Sequence, residues 1–60
     1  MKVKDLLKLL KTDGWTVKTQ KGSHQQMIHP DKPGKVTAPI HGGDIPKGTL
    51  SSILKQAGLK

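Results

Sequence analysis

The sequence predicts a small two-layer α+β domain in the order α-β-β-β-α, with two helices on one face of a three-stranded antiparallel sheet. Three observations carry this. Apolar residues recur at helical spacing near both ends of the chain: Val3, Leu6, Leu7 and Leu10, then Leu50, Ile53, Leu54 and Ala57. Between them lie three short extended runs separated by turns rich in Gly and Pro. The chain has 60 residues, enough for one core, so both helices must share the sheet. Residues 1–60 are therefore read as a single domain.

The first helix is expected at about residues 2–12. Lys4, Lys8 and Lys11 line its polar face, and Gly14 suits the left-handed position just past its end. Residues 15–20 read as a strand, with Trp15, Val17 and Thr19 on one face and Trp15 as the largest contributor to the core. Lys21-Gly22 signals a turn. Residues 23–29 read as a second strand, stopped by Pro30, and Asp31-Lys32-Pro33-Gly34 is a strong turn. Residues 35–40 form a third, short strand, where Pro39 marks an edge or an exit from the sheet. After a loop over residues 41–48, the second helix carries the second apolar stripe and ends at Gly58. Asp44 or Thr49 is available to cap it, with Pro46 in its first turn.

Composition narrows the function classes. There is no Cys, which excludes disulfides and thiolate metal sites and fits a reducing compartment. No apolar run is long enough for a membrane span, and the N-terminal residues lack the apolar segment of a signal peptide, so a cytoplasmic protein is expected. The formal net charge is +7, from 11 Lys and four Asp, with no Arg. Without guanidinium forks, lysines act as point charges on a phosphate backbone, giving salt-dependent attraction with little sequence reading. The same excess of Lys also serves solubility. One Trp and no Tyr or Phe leave little for base stacking.

The local sequence carries a resemblance. The order of elements, with one sheet face exposed, is similar to a double-stranded-RNA-binding domain in miniature. The segments Asp13-Gly14-Trp15, Gly22-Ser23-His24, His29-Pro30, Pro33-Gly34, Val36-Thr37, Gly48-Thr49-Leu50 and residues 53–59 resemble the HicA family of mRNA interferase toxins, in matching order and spacing from about residue 2 to residue 59. The resemblance implies an endoribonuclease of a toxin–antitoxin pair. Such a toxin cleaves mRNA, arrests growth, and is inhibited by a HicB-like antitoxin that covers its active site. It implies catalysis by His24, in the Gly22-Ser23-His24 motif, with no metal and no organic cofactor. Contact with DNA is not expected of the chain itself, outside an antitoxin complex. Met27 stands where the family often has an aromatic residue and can fill the same core space. His41 lies in a segment similar to the family's second His-containing segment.

Histidine suits such chemistry because its ordinary pKa, ~6.5, lets it accept and donate protons near neutral pH. As general base His24 would take the proton of a ribose 2′-OH, whose oxygen then attacks the adjacent phosphorus; as general acid it would protonate the 5′-leaving oxygen. The sequence leaves both open, together with a plain surface His in a polar turn. Gly22 permits a tight turn and a close approach to phosphate. Ser23 is a candidate donor to phosphate or to His24, or an ordinary turn Ser. Lys18, Lys21, Lys35 and Lys47 are the expected RNA-backbone contacts near the His24 edge. Lys4, Lys8 and Lys11 form either a solvated face or a docking surface for an acidic partner. An odd separation from His24 puts His29 on the other face of a strand. The sequence also allows two further readings: a non-catalytic RNA-binding module on the same fold, and a pure interaction protein with a basic surface.

Overall fold

A computed structural model describes residues 1–40 and 42–60. Helix α1 spans Val3–Asp13, strands β1, β2 and β3 span Thr16–Lys21, His24–Ile28 and Val36–Pro39, and helix α2 spans Lys47–Gln56. The sheet is antiparallel with order β1-β2-β3. The predicted element order and layer architecture are observed, with boundaries displaced by one or two residues. His41 lies outside the described residues.

Helix α1 buries Val3, Leu6 and Leu10, with Leu7 at the margin of the core. The loop before α2 secures its start, because Gly43 C=O accepts the Val3 N–H at 3.0 Å and Met1 C=O accepts the Ile45 N–H at 3.0 Å. At its end Gly14 adopts φ +110°, and the N–H groups of Gly14 and Trp15 reach back to Lys11 and Leu10 C=O. This six-to-one closure satisfies the last carbonyls of the helix and aims the chain at the sheet.

One face of β2 and β3 is buried. Met27 of β2 and Val36 and Ala38 of β3 meet Leu6, Leu10, Trp15 and Ile53 in a single core. Trp15 is the largest fully buried side chain. Met27 is fully enclosed, so it fills core space as expected from its soft, unbranched chain. His24, Gln26, Ile28 and Thr37 alternate with these residues and face outward.

The expected face shared by Trp15, Val17 and Thr19 is not observed: Trp15 is buried, whereas Val17 and Thr19 are exposed. Val17 pairs with Met27, but Thr19 pairs with Gln26, so Lys18 is an extra residue in β1. Such a bulge shifts the alternation by one, turning Thr19 to the outer face and Gln20 to the inner one. Val17 keeps the inner side, yet the core centres on β2 and β3 and leaves it 42% exposed.

The capping of α2 also differs from expectation. Neither Asp44 nor Thr49 caps it. Asp44 instead forms an isolated bridge with Lys2. Thr49 lies inside the helix. Pro46 is the residue before the first turn, not within it; its φ of −57° directs the chain, and its C=O accepts the Leu50 N–H at 2.9 Å. Gly58, at φ +72°, closes the helix as predicted, with the Leu59 N–H on Leu54 C=O.

Candidate active site

The described histidines have opposite environments. His29 follows β2 and is enclosed: its Nε2 lies 2.6 Å from Asp13 C=O, and its Nδ1 accepts the Asp31 N–H at 2.9 Å. An Nδ1 that accepts must be unprotonated, so Nε2 carries the hydrogen donated to Asp13 C=O. Both ring nitrogens are thereby engaged. The ring also stands edge-on to Trp15, with centroids 5.3 Å apart and planes at 69°. The Asp13 carboxylate completes the cluster, accepting from Lys32 Nζ at 2.6 Å and Trp15 Nε1 at 3.2 Å. The Lys32 hydrogen bond, then its charge, together with the Trp15 hydrogen bond, outweigh partial burial and hold the Asp13 carboxyl below its ordinary pKa. Lys32 also donates to Ala57 C=O at 3.0 Å, clipping the end of α2 to the end of α1. His29 is thus a structural residue that joins the strand exit to the helix terminus.

His24 begins β2 on the outer face, opposite Lys21 of β1 and Pro39 of β3. The two residues between the paired Lys21 and His24 are Gly22 and Ser23. Gly22 has φ +59° at the first central position, the requirement of a type II′ hairpin turn. Open space lies above Gly22, so nothing obstructs an approaching group there. Ser23 C=O accepts the Ile40 N–H at 2.8 Å and ties the exit of β3 to this turn. The exposed His24 imidazole has no hydrogen-bond partner among the described residues. Its nitrogens are available to an incoming molecule.

Two hollows meet at His24. One, about 610 Å³, opens on the sheet between Thr19, Lys21, Gln26 and Thr37. The other, about 470 Å³, lies between β3 and α2 and is lined by Thr37, Gly48, Thr49, Ser52 and Gln56. His24 and Thr37 belong to both.

The lysines divide. Lys21 stands directly beside His24, and Lys18 occupies the bulge three residues earlier in the same strand. Lys47 opens α2 next to Gly48 of the second hollow. Lys35 is not near His24 as the sequence reading placed it. It precedes Val36, which pairs with Met27, so it sits at the opposite end of β3. Antiparallel geometry forces this, because the start of β3 opposes the end of β2. The stripe Thr49, Ser52 and Gln56 was missed by sequence reasoning, although its i, i+3, i+7 spacing is as regular as the apolar stripe beside it. Among the described residues no three His, Asp or Glu side chains converge as a metal site, and no helix is long and apolar enough to cross a membrane.

A small basic two-layer domain, with a free imidazole at a hairpin corner and the core on the opposite sheet face, belongs to a class with solved relatives among the toxin–antitoxin proteins. The chain matches one chain of a toxin–antitoxin complex from Streptococcus pneumoniae with a TM-score of 0.80 and 37% identity, covering 98% of each chain. The family model described as HicA toxin of bacterial toxin–antitoxin matches residues 3–59, and the chain belongs to the HicA toxin family. Compared by sequence alone, no curated protein matches it.

Proposed function

We propose that this HicA-family chain is an endoribonuclease that cleaves mRNA at His24 and is neutralised by a HicB-like antitoxin. The observation that carries the reading is the contrast between the two described histidines: His29 is locked by two hydrogen bonds, while His24 stands free where two substrate-sized hollows meet. His24 accepts the proton of a ribose 2′-OH, the 2′-oxygen forms a bond to phosphorus, and the bond from phosphorus to the 5′-oxygen breaks. The departing oxygen takes up a proton, and a 2′,3′-cyclic phosphate remains. Lys21, the cross-strand partner of His24, supplies the cation that stabilises the growing negative charge. Gly22 lets the backbone stand close to the phosphate, Ser23 is a donor at the same corner, and Lys18 and Lys47 extend the cationic track. Lys35 contacts RNA only where the strand continues to the far end of the sheet.

The S. pneumoniae relative is a chain of a toxin–antitoxin complex, which supports a protein partner for this chain. An antitoxin laid over the His24 face would block both hollows together.

The test is cleavage of RNA by purified protein and by His24→Ala, in EDTA, with analysis of the product ends. Cleavage by the parent alone, leaving cyclic phosphate, is expected. Equal cleavage by both proteins, or RNA binding without cleavage by a folded parent, overturns the proposal and favours a binding module. A substrate with a 5′-bridging sulfur, which leaves without protonation, assigns the proton. Restored cleavage by His24→Ala would make His24 the acid, and continued inactivity makes it the base.

A further inference from the structure

Helix α2 carries two stripes with different destinations. Leu50, Ile53, Leu54 and Ala57 pack into or against the core. Thr49, Ser52 and Gln56 are exposed, uncharged, and capable of both donating and accepting hydrogen bonds. They form one wall of the smaller hollow, and His24, Thr37 and Pro39 form the facing wall. Among the described residues no Lys lines this hollow, whereas Lys21 lines the sheet-side hollow. The two compartments adjoin at His24 and differ in chemistry.

Resting on the proposed cleavage at His24, the geometry points to a divided substrate seat. The helix-side hollow is a base-reading subsite for one unpaired nucleotide of single-stranded RNA, with Gln56 and Ser52 as its specificity-determining residues. The sheet-side hollow holds the sugar–phosphate on the other side of the cut. A phosphodiester at His24 has a nucleotide on each side, and each needs a space of its own. A primary amide places a donor and an acceptor side by side, the arrangement that matches the edge of a base. Ammonium groups match phosphate and read no sequence. A base can enter a groove between strand and helix only when it is unpaired and turned out of its stack, which selects single strands over duplex. The absence of Arg and the burial of Trp15 leave neutral side chains as the means of discrimination at this surface.

The experiment uses a pool of single-stranded RNA randomised around one cleavable position, with cut ends sequenced for the parent, Gln56→Ala, Ser52→Ala and Gln56→Glu. The parent is expected to prefer certain bases at one position flanking the cut. Gln56→Ala should lower that preference about tenfold or more, as for loss of a bidentate base contact, and leave the other positions unchanged. Gln56→Glu, which replaces the amide donor with an acceptor, should move the preference toward bases that present an amino group. Because Gln56 and Ser52 are exposed, thermal melting should not change, which separates reading from folding. Continued cutting with an unaltered preference in both Ala variants, or an equal loss at every position, overturns the inference while leaving His24 catalysis intact. A folded parent that cuts no RNA overturns the underlying reading and this one with it.

Discussion

Replacing Gly14 with Ala should be among the most damaging single-methyl changes available to this chain. A Cβ at Gly14 would lie 2.6 Å from His29 Nε2, 3.1 Å from Cδ2 and 3.2 Å from Cε1. The ring cannot yield freely, since hydrogen bonds hold both its nitrogens and it rests against Trp15. The cost has three parts. A left-handed φ in a residue with a Cβ costs about 1–2 kcal/mol. Displacing the ring forfeits a hydrogen bond worth about 1 kcal/mol. It also disturbs an aromatic contact worth about 0.5–1.5 kcal/mol. Gly14→Ala should therefore destabilise by about 2.5–4.5 kcal/mol, against a total stability of about 3–9 kcal/mol for a domain of this length. The assay is urea unfolding followed by the fluorescence of Trp15, the single Trp. Gly34→Ala is the control, because Gly34 has φ +84° but nothing within 4 Å of the added methyl. It should lose only the backbone part, about 1–2 kcal/mol. In a His29→Ala background, the excess cost of Gly14→Ala over that control should shrink by about 1.5–2.5 kcal/mol. Equal losses at Gly14 and Gly34, or an undiminished loss without the His29 ring, would refute the steric reasoning.

Lys21→Gln should weaken RNA binding and make the plot of log affinity against log salt shallower by about 0.7, the value for one single-strand phosphate contact; an unchanged slope removes Lys21 from the RNA track. Lys35→Gln, at the other end of the sheet, should leave the cleavage rate within about twofold, since Coulombic influence is screened over roughly 8–10 Å; a larger drop would bring that end into the active region. The Asp13 carboxyl is held below its ordinary pKa, so its contribution to stability is present above the unfolded value and is lost as pH falls through the folded one. Below about pH 4 the melting temperature of the parent should accordingly fall toward that of Asp13→Asn, and parallel curves would refute the linkage. A HicB-like antitoxin at 100 times its Kd should stabilise the domain by about 2.7 kcal/mol, seen as a higher melting temperature; no change on saturation would argue against its binding the folded chain.

Local chemistry made much of this fold legible. The i, i+3, i+4, i+7 stripe of α1 and the glycines closing both helices act within a turn or two, and both were placed from sequence. The bulge at Lys18 left no comparable sign, because a Lys between Val and Thr looks like ordinary alternation until the partner strand fixes the register. The Asp13–Trp15–His29–Lys32 cluster joins residues as far apart as 13 and 32, and sequence cannot supply that distance relation. His24 emerged from its turn motif and the family resemblance. The polar wall of α2 escaped because a search for apolar periodicity passes over Thr49, Ser52 and Gln56. Lys35 was misplaced for want of strand direction in space.

The bulge in β1 also bears on how the molecule behaves in a crowded solution. Strand β1 is an edge, with exposed side chains along its whole length and one side of its backbone ladder open to other chains. A flat six-residue edge of this kind is a template for pairing with a second copy and so for aggregation. The extra residue breaks the regular spacing of donors and acceptors midway, and Lys18 and Lys21 set positive charge along the same border. A neighbouring copy could align with only a few residues before its ladder fell out of step, and it would bring the same charges with it. A thin sheet with one strand outside the core can thus remain dispersed while keeping its His24 corner uncovered.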